Sequence, residues 1–136
     1  MSRTVVDASV LIKLYINEAG SRRAATAIRK AEVLFAPDLL WSETGNILWK
    51  YVRRGELEAE AAEAMLADMI QMPIRITATR DVIAQVLEIA THTDRTVYDS
   101  VYLATAVQTK AVLLTADERL VNALAQTPWF NFVRGL

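Results

Sequence analysis

Thr4-Val5-Val6 runs straight into Asp7-Ala8-Ser9-Val10-Leu11, and those eight residues decide the fold. A short apolar run rich in β-branched residues reads as a buried strand, whereas Val10, Leu11, Leu14 and Tyr15 recur at helical spacing. Strand therefore hands over to helix within a few residues, with Ser9 as a candidate N-cap and Asp7 at the strand's carboxyl end. The same handover recurs downstream. Val33-Leu34-Phe35-Ala36 reads as a strand stopped by Pro37 and Asp38, which open a long helix to about residue 54, closed by Gly55. Ile74-Arg75-Ile76-Thr77 follows Pro73 as a third strand, Val112-Leu113-Leu114 precedes a helix over 117–125, and 129–133 reads as a last strand. Gly20 breaks the chain before a basic, Ala-rich helix over 21–31. Further helices are expected over 56–72, 80–90 and 97–109, with 91–96 as a polar connection holding the lone His92. Strands alternating with helices predict an α/β fold of three layers, a mainly parallel central sheet flanked by helices, in one domain spanning 1–136.

Composition narrows the function classes. The 136 residues include no Cys and one His, which excludes thiolate chemistry, iron–sulfur clusters, Cys-ligated zinc and a multi-histidine metal site. The four glycines are too dispersed for a phosphate-cradling loop. An apolar share of 53% is too high for a disordered chain. No apolar run is long enough to span a membrane, and Asp7 and Lys13 interrupt any signal-peptide core, so the expected address is the cytoplasm.

Four acids require an account. Asp7 follows the first strand, and Asp117 follows Leu113-Leu114-Thr115-Ala116 in the same way. Carboxyl ends of strands form the ligand crevice of open α/β sheets, although each aspartate alone is better read as a helix N-cap. Asp99 is aligned with Tyr102, Leu103 and Ala106, which sets a carboxylate in an apolar stripe where acids are rarely buried unpaired. A dipole-stabilised place at a helix start is the competing account. Glu43 shares its helix side with Asn46 one turn on, against the alternative of a solvent-facing helix edge. If the four converge, their repulsion requires a counter-charge, and with no Cys and a single His, all-oxygen ligation suits Mg²⁺ or Mn²⁺. Such an ion polarises a phosphodiester and activates a water. Fifteen Lys and Arg stand against sixteen Asp and Glu; with four acids set aside, twelve remain and the rest of the chain is basic by three charges. That balance accords with a basic rim around an acidic pocket.

Val5-Val6-Asp7-Ala8-Ser9-Val10-Leu11, Glu43 with Asn46, Tyr98-Asp99-Ser100-Val101-Tyr102-Leu103-Ala104-Thr105-Ala106 and Leu114-Thr115-Ala116-Asp117 together resemble the PIN domain. More narrowly, they look like the VapC-type ribonuclease toxins of prokaryotic toxin–antitoxin pairs. The resemblance covers essentially the whole chain. It implies a PIN-like fold and an endoribonuclease that hydrolyses RNA phosphodiester bonds with Mg²⁺ or Mn²⁺. Its metal-binding acids fall on Asp7 and Asp99, its other two site acids on Glu43 and Asp117, its supporting hydroxyls on Ser9 and Thr115, and a polar lining residue on Asn46. It also implies a homodimer and a cognate antitoxin, and the lack of a long apolar run predicts no membrane partner. Some members carry a further acid shortly after the fourth; here Glu118 is adjacent and Arg119 follows, which leaves a second ion open.

Two rival functions use the same acids: a metal-dependent phosphatase acting on a small ester, and a catalytically silent interaction domain of this fold. The presence of all four acids counts against the silent form. A phosphoacceptor signalling domain needs an acidic pair after the first strand and a Lys at a late strand end, whereas Asp7 stands alone and Lys110 precedes its strand. Two basic sets, Arg22, Arg23, Arg29 and Lys30, and Lys50, Arg53 and Arg54, are read either as guides for RNA phosphates or as solvated helix faces. Trp41, Trp49 and Tyr51 on one helix exceed what a small core needs and accord with a protein interface, against the commoner role of aromatic residues in the core.

Overall fold

The computed structural model describes residues 2–136. Five strands, β1 (Arg3–Val6), β2 (Val33–Pro37), β3 (Ile74–Thr77), β4 (Val112–Thr115) and β5 (Val133–Gly135), form one sheet in the order β3-β2-β1-β4-β5. Every pairing is parallel. Helices fill the crossovers: α1 (Ala8–Leu11) and α2 (Ser21–Lys30) before β2, α3 (Leu39–Arg53) and α4 (Ala59–Ile70) before β3, α5 (Ile83–Thr93) and α6 (Val97–Thr109) before β4, and α7 (Glu118–Leu124) before β5. The chain winds outward from β1 to β3, then crosses to β4 on the other side of β1. That reversal sets a topological switch point at the carboxyl ends of β1 and β4, where open α/β sheets bind their ligands.

Strand alternation generates the three expected layers. Val5 stands level with Phe35 and Leu113, and Leu113 with Val133. This row faces a core that takes Val86 and Ile89 from α5, Leu103 from α6, and Leu120 and Leu124 from α7. Val6, level with Leu114, points the other way, with Ala36, into a core built from Leu11, Leu40, Leu48 and Met69. Helix α6 is buried at every position from Ser100 to Ala106, so it is a central helix rather than a striped one. Two of its interior hydroxyls are satisfied within the helix. Ser100 Oγ donates to the Thr96 carbonyl and Thr105 Oγ1 to the Val101 carbonyl, both at 2.8 Å. Among the described residues no helix is long and apolar enough to cross a membrane.

Three local expectations are corrected. Pro128–Phe132 forms a 3-10 turn, and only Val133–Gly135 pairs with β4 as the last strand. Pro128 has no amide to give a ladder, and Trp129 and Phe132, three residues apart, pack onto the same core. Helix α5 continues to Thr93 and takes His92 out of the expected connection, with Nδ1 2.8 Å from the Glu88 carbonyl. The first helix is a single turn capped by Asp7 rather than Ser9.

The segment between α1 and α2 is tied to α3 through one carboxylate. Lys13 Nζ lies 2.9 Å from Glu18 Oε1, and the Tyr51 hydroxyl donates to Glu18 Oε2 at 2.6 Å. Burial pushes the Glu18 pKa up, but the Tyr51 hydroxyl and the Lys13 ammonium outweigh it and hold the carboxyl below its ordinary 4.5. A carboxyl with a lowered folded pKa stabilises the fold above its unfolded pKa and loses that contribution as pH falls through the folded value. Tyr51→Phe should lower stability by about 1 kcal/mol near neutral pH. The gap from wild type should narrow in thermal melts as pH falls below 4.5 and through the lowered folded value, whereas a gap that persists into acid would mean that Tyr51 acts by packing alone.

Candidate active site

The four acids come from four different elements. Asp7 follows β1, Glu43 lies on α3, Asp99 in the first turn of α6, and Asp117 follows β4. All four line one cleft of about 310 Å³ at the switch point, together with Ser9, Asn46 and Thr115. Every site residue singled out in the sequence is therefore brought to one place. Lys50 and Tyr102 line the same cleft. The sequence signal at Tyr102 is an apolar stripe and at Lys50 a solvated helix face, so neither residue type announces a cleft.

The competing reading of two aspartates as helix caps is correct, and it is compatible with their place in the cleft. Asp7 Oδ1 accepts from the Val10 amide at 3.1 Å and from Ser9 Oγ at 2.6 Å. Asp117 Oδ1 accepts from the amides of Arg119 at 3.0 Å and Leu120 at 3.3 Å. In each case the capping hydrogen bonds fall on Oδ1, so the cap itself leaves the second oxygen for other partners, which for Asp7 include the Thr115 hydroxyl. Ser9 links the two strand ends, because its Oγ also accepts from the Ala116 amide at 3.2 Å. Thr115, fully buried, accepts from the Asp117 amide at 3.1 Å and sets the turn that presents Asp117.

The electrostatics are those of crowded acids. Burial pushes the Asp7 carboxyl up to about 6; the Ser9 and Thr115 hydroxyls and the Val10 amide pull it down, and the Glu43 charge pushes it up further. Asp99 is raised by burial and by the charge of Asp117, against a lowering influence of Arg95. Burial, then the Glu43 carboxylate, drive the Tyr102 phenol well above its usual range, and its buried hydroxyl closes no hydrogen bond of good geometry. Glu43 is the carboxylate that this phenol faces, whereas no hydrogen bond contributes to the Asp99 shift. Such a site is short of positive charge and rich in uncommitted oxygen, which is the donor set of a hard divalent cation. No three acids among the described residues close on a common point in this conformation. The arrangement fits an ion held by one or two carboxylates and water rather than an all-protein cage. His92 stands at the end of α5 beside Trp129, 6.2 Å between ring centroids, and does not line the cleft.

Comparison with known proteins agrees with this geometry. The PIN domain model matches residues 4–124. Ribonuclease VapC3 of Pyrobaculum aerophilum is 34% identical over 122 residues, covering 88% of this chain and 93% of the relative. The crystal structure of PAE2754 from Pyrobaculum aerophilum superposes with a TM-score of 0.70 at 28% identity, over 90% of this chain and 79% of that one. Mycobacterium tuberculosis VapC20, a sarcin–ricin loop cleaving toxin, shares the fold with a TM-score of 0.68 at 20% identity, over 88% and 94% of the two chains. A toxin–antitoxin complex from Klebsiella pneumoniae does so with 0.66 at 16% identity, over 96% and 95%. The family match runs from β1 through α7 and takes in all four acid-bearing elements: the chain belongs to the PIN domain family.

Proposed function

We propose that this chain is a Mg²⁺- or Mn²⁺-dependent endoribonuclease, the toxin of a cytoplasmic toxin–antitoxin pair, with Asp7, Glu43, Asp99 and Asp117 as its site acids. The observation that carries the reading is the convergence of four carboxylates from four elements at the switch point. The likeness to Ribonuclease VapC3 supports RNA as the substrate, and the toxin–antitoxin complex among the structural neighbours supports a cognate antitoxin. The chain acts in this reading as one domain in a homodimer.

Asp7 and Asp99 would hold the cation. When bound, the ion neutralises charge on the phosphodiester and lowers the pKa of an attacking water. The chain's own residues do the positioning. Ser9 and the Val10 amide lock the Asp7 carboxylate by Oδ1 and so fix its orientation in the cleft. Glu43, across the cleft on α3, is placed to accept a proton from a water or to orient it, with Asn46 one turn on along the same wall. Asp117, anchored by α7, adds negative charge that strengthens cation binding. Among the described residues Lys50 is the one cation lining the cleft, a charge suited to a substrate phosphate.

Purified protein should cleave an RNA stem-loop with added Mg²⁺ or Mn²⁺ and fall silent in EDTA, and Glu43→Gln should lower the rate roughly a hundredfold or more with the fold intact. EDTA-resistant cleavage by a homogeneous preparation would refute the metal mechanism, and full activity in Glu43→Gln would return that residue to a solvent-facing helix edge.

Asp99 separates a site acid from a structural one. Removing one of several repelling charges relieves strain in metal-free protein, so Asp99→Asn should melt at or above wild type in EDTA. It should also gain less from excess Mg²⁺, because a ligand stabilises the folded state in proportion to its affinity. A lower melting point in EDTA with an unchanged Mg²⁺ increment would make Asp99 a helix-start residue and remove it from the site.

A further inference from the structure

The two basic sets read from the sequence are not equivalent in space. Arg23 and Lys30 border a cavity between α2 and the β5 end of the sheet that shares no lining residue with the acid cleft. Helix α3, in contrast, belongs to the cleft. Asn46 and Lys50 line it, and Arg53 stands three residues beyond Lys50. At helical spacing Asn46, Lys50 and Arg53 fall on one stripe, about 10 Å long, that starts in the cleft and runs outward. Trp49 lies on the flank of that stripe and is 53% exposed, with the Arg53 guanidinium 5.3 Å from its ring centroid.

The other aromatics of α3 and the C-cap residue Arg54 are already employed. Tyr51 donates to Glu18, Trp41 packs on the α1–α4 core, and Arg54 lies over the Tyr51 ring. Lys50 and Arg53 pair with no carboxylate among the described residues, and Trp49 is the exposed indole left on this helix. A helix C-terminus accounts for cations in the last turn, but it gives no reason for a half-exposed indole beside them.

We infer that the outer stripe of α3 is the track that leads a single-stranded RNA segment into the cleft, with Lys50 and Arg53 on successive phosphates and a base stacked on Trp49. The chemistry matches the occupant: unpaired cations for a polyanion, and a sequence-tolerant aromatic platform for an unstacked base. This inference rests on the ribonuclease reading above, and the test keeps the two apart.

The probe is a fluorescein-labelled RNA hairpin with an unpaired loop, bound in Mg²⁺ to protein carrying Asp99→Asn so that it is not cut, at several salt concentrations. Added to that background, Arg53→Gln should weaken binding several-fold and reduce the slope of log affinity against log salt by about 0.7. Lys50→Gln should behave in the same way. Trp49→Ala should weaken binding about tenfold or more with the slope unchanged, and Trp49→Phe should recover part of that loss. All four substitutions are on exposed positions, so thermal melts should match the background. Arg22→Gln with Arg29→Gln on α2 should leave affinity nearly unaltered. If the α2 pair lowers affinity and the α3 variants do not, the track is overturned. It is also overturned if the α3 variants leave RNA affinity intact and weaken only the complex with the cognate antitoxin, which would make the stripe a protein-docking face. Persistent cleavage by Asp99→Asn would instead count against the site assignment, and loss of cleavage with unaltered α3 variants would count against the track alone.

Discussion

A carboxylate at the end of the central strand is the constraint on which the rest of this structure depends. Asp7 follows two fully buried valines and stands among acids, a position that pushes its carboxyl up to about 6. Folding tolerates it because one oxygen is engaged by the α1 amide and the Ser9 hydroxyl. Ser9 in turn takes the Ala116 amide, so the device that holds the acid also joins the ends of β1 and β4. The switch point is thus more than a gap left by topology. It is closed at its floor by a hydroxyl bridge and open above it, where the unbonded carboxylate oxygens lie.

Most of the fold was legible because each strand is short, apolar and followed by a breaker or a cap. Gly55 was legible for the same reason: it ends α3 at φ +73°, a backbone angle that favours a residue without Cβ. The errors share a cause. Trp129, Phe130 and Phe132 look like a strand because their apolar density is high, yet Pro128 initiates a 3-10 turn and the sheet resumes only at Val133. Apolar density reports burial, and it does not by itself separate periods of two and three over five residues. His92 was misplaced because Thr91, His92 and Thr93 are weak helix formers; the tertiary helix carries them on, with the Thr91 and Thr93 hydroxyls bonded back to carbonyls four residues earlier.

The candidate site was legible in its acids and not in its walls. Asp99 drew notice as a charge among apolar neighbours, and Asp7 and Asp117 as acids at strand ends. For those two, the helix-cap reading and the site reading looked like rivals in the sequence, because one residue seemed to have one job. A carboxylate has two oxygens, and in both residues the cap uses Oδ1 alone. Tyr102 was hidden by its ring, which belongs to the core by area while its hydroxyl belongs to the cleft by direction. Lys50 was hidden by its exposure, since a surface lysine is ordinary until a tertiary contact puts it beside a carboxylate cluster.

Helix α3 shows how one element reconciles a negative pocket with a polyanionic substrate. Four uncompensated carboxylates repel RNA, so a cleft made only of acids would exclude the phosphate it is meant to receive. Glu43 sits in the first half of α3, whereas Lys50 and Arg53 occupy its last turn, near the carbonyl end of the helix dipole. The cations therefore cost the helix nothing and even stabilise it, and the same arrangement builds a gradient of potential along the cleft wall, negative at the floor and positive at the mouth. On the proposed function, a phosphate drawn by the positive end would meet the carboxylates where a divalent cation would offset them. Separation of the two charges along a rigid helix, by about 10 Å from Glu43 to Lys50, keeps them from neutralising each other in a direct ion pair.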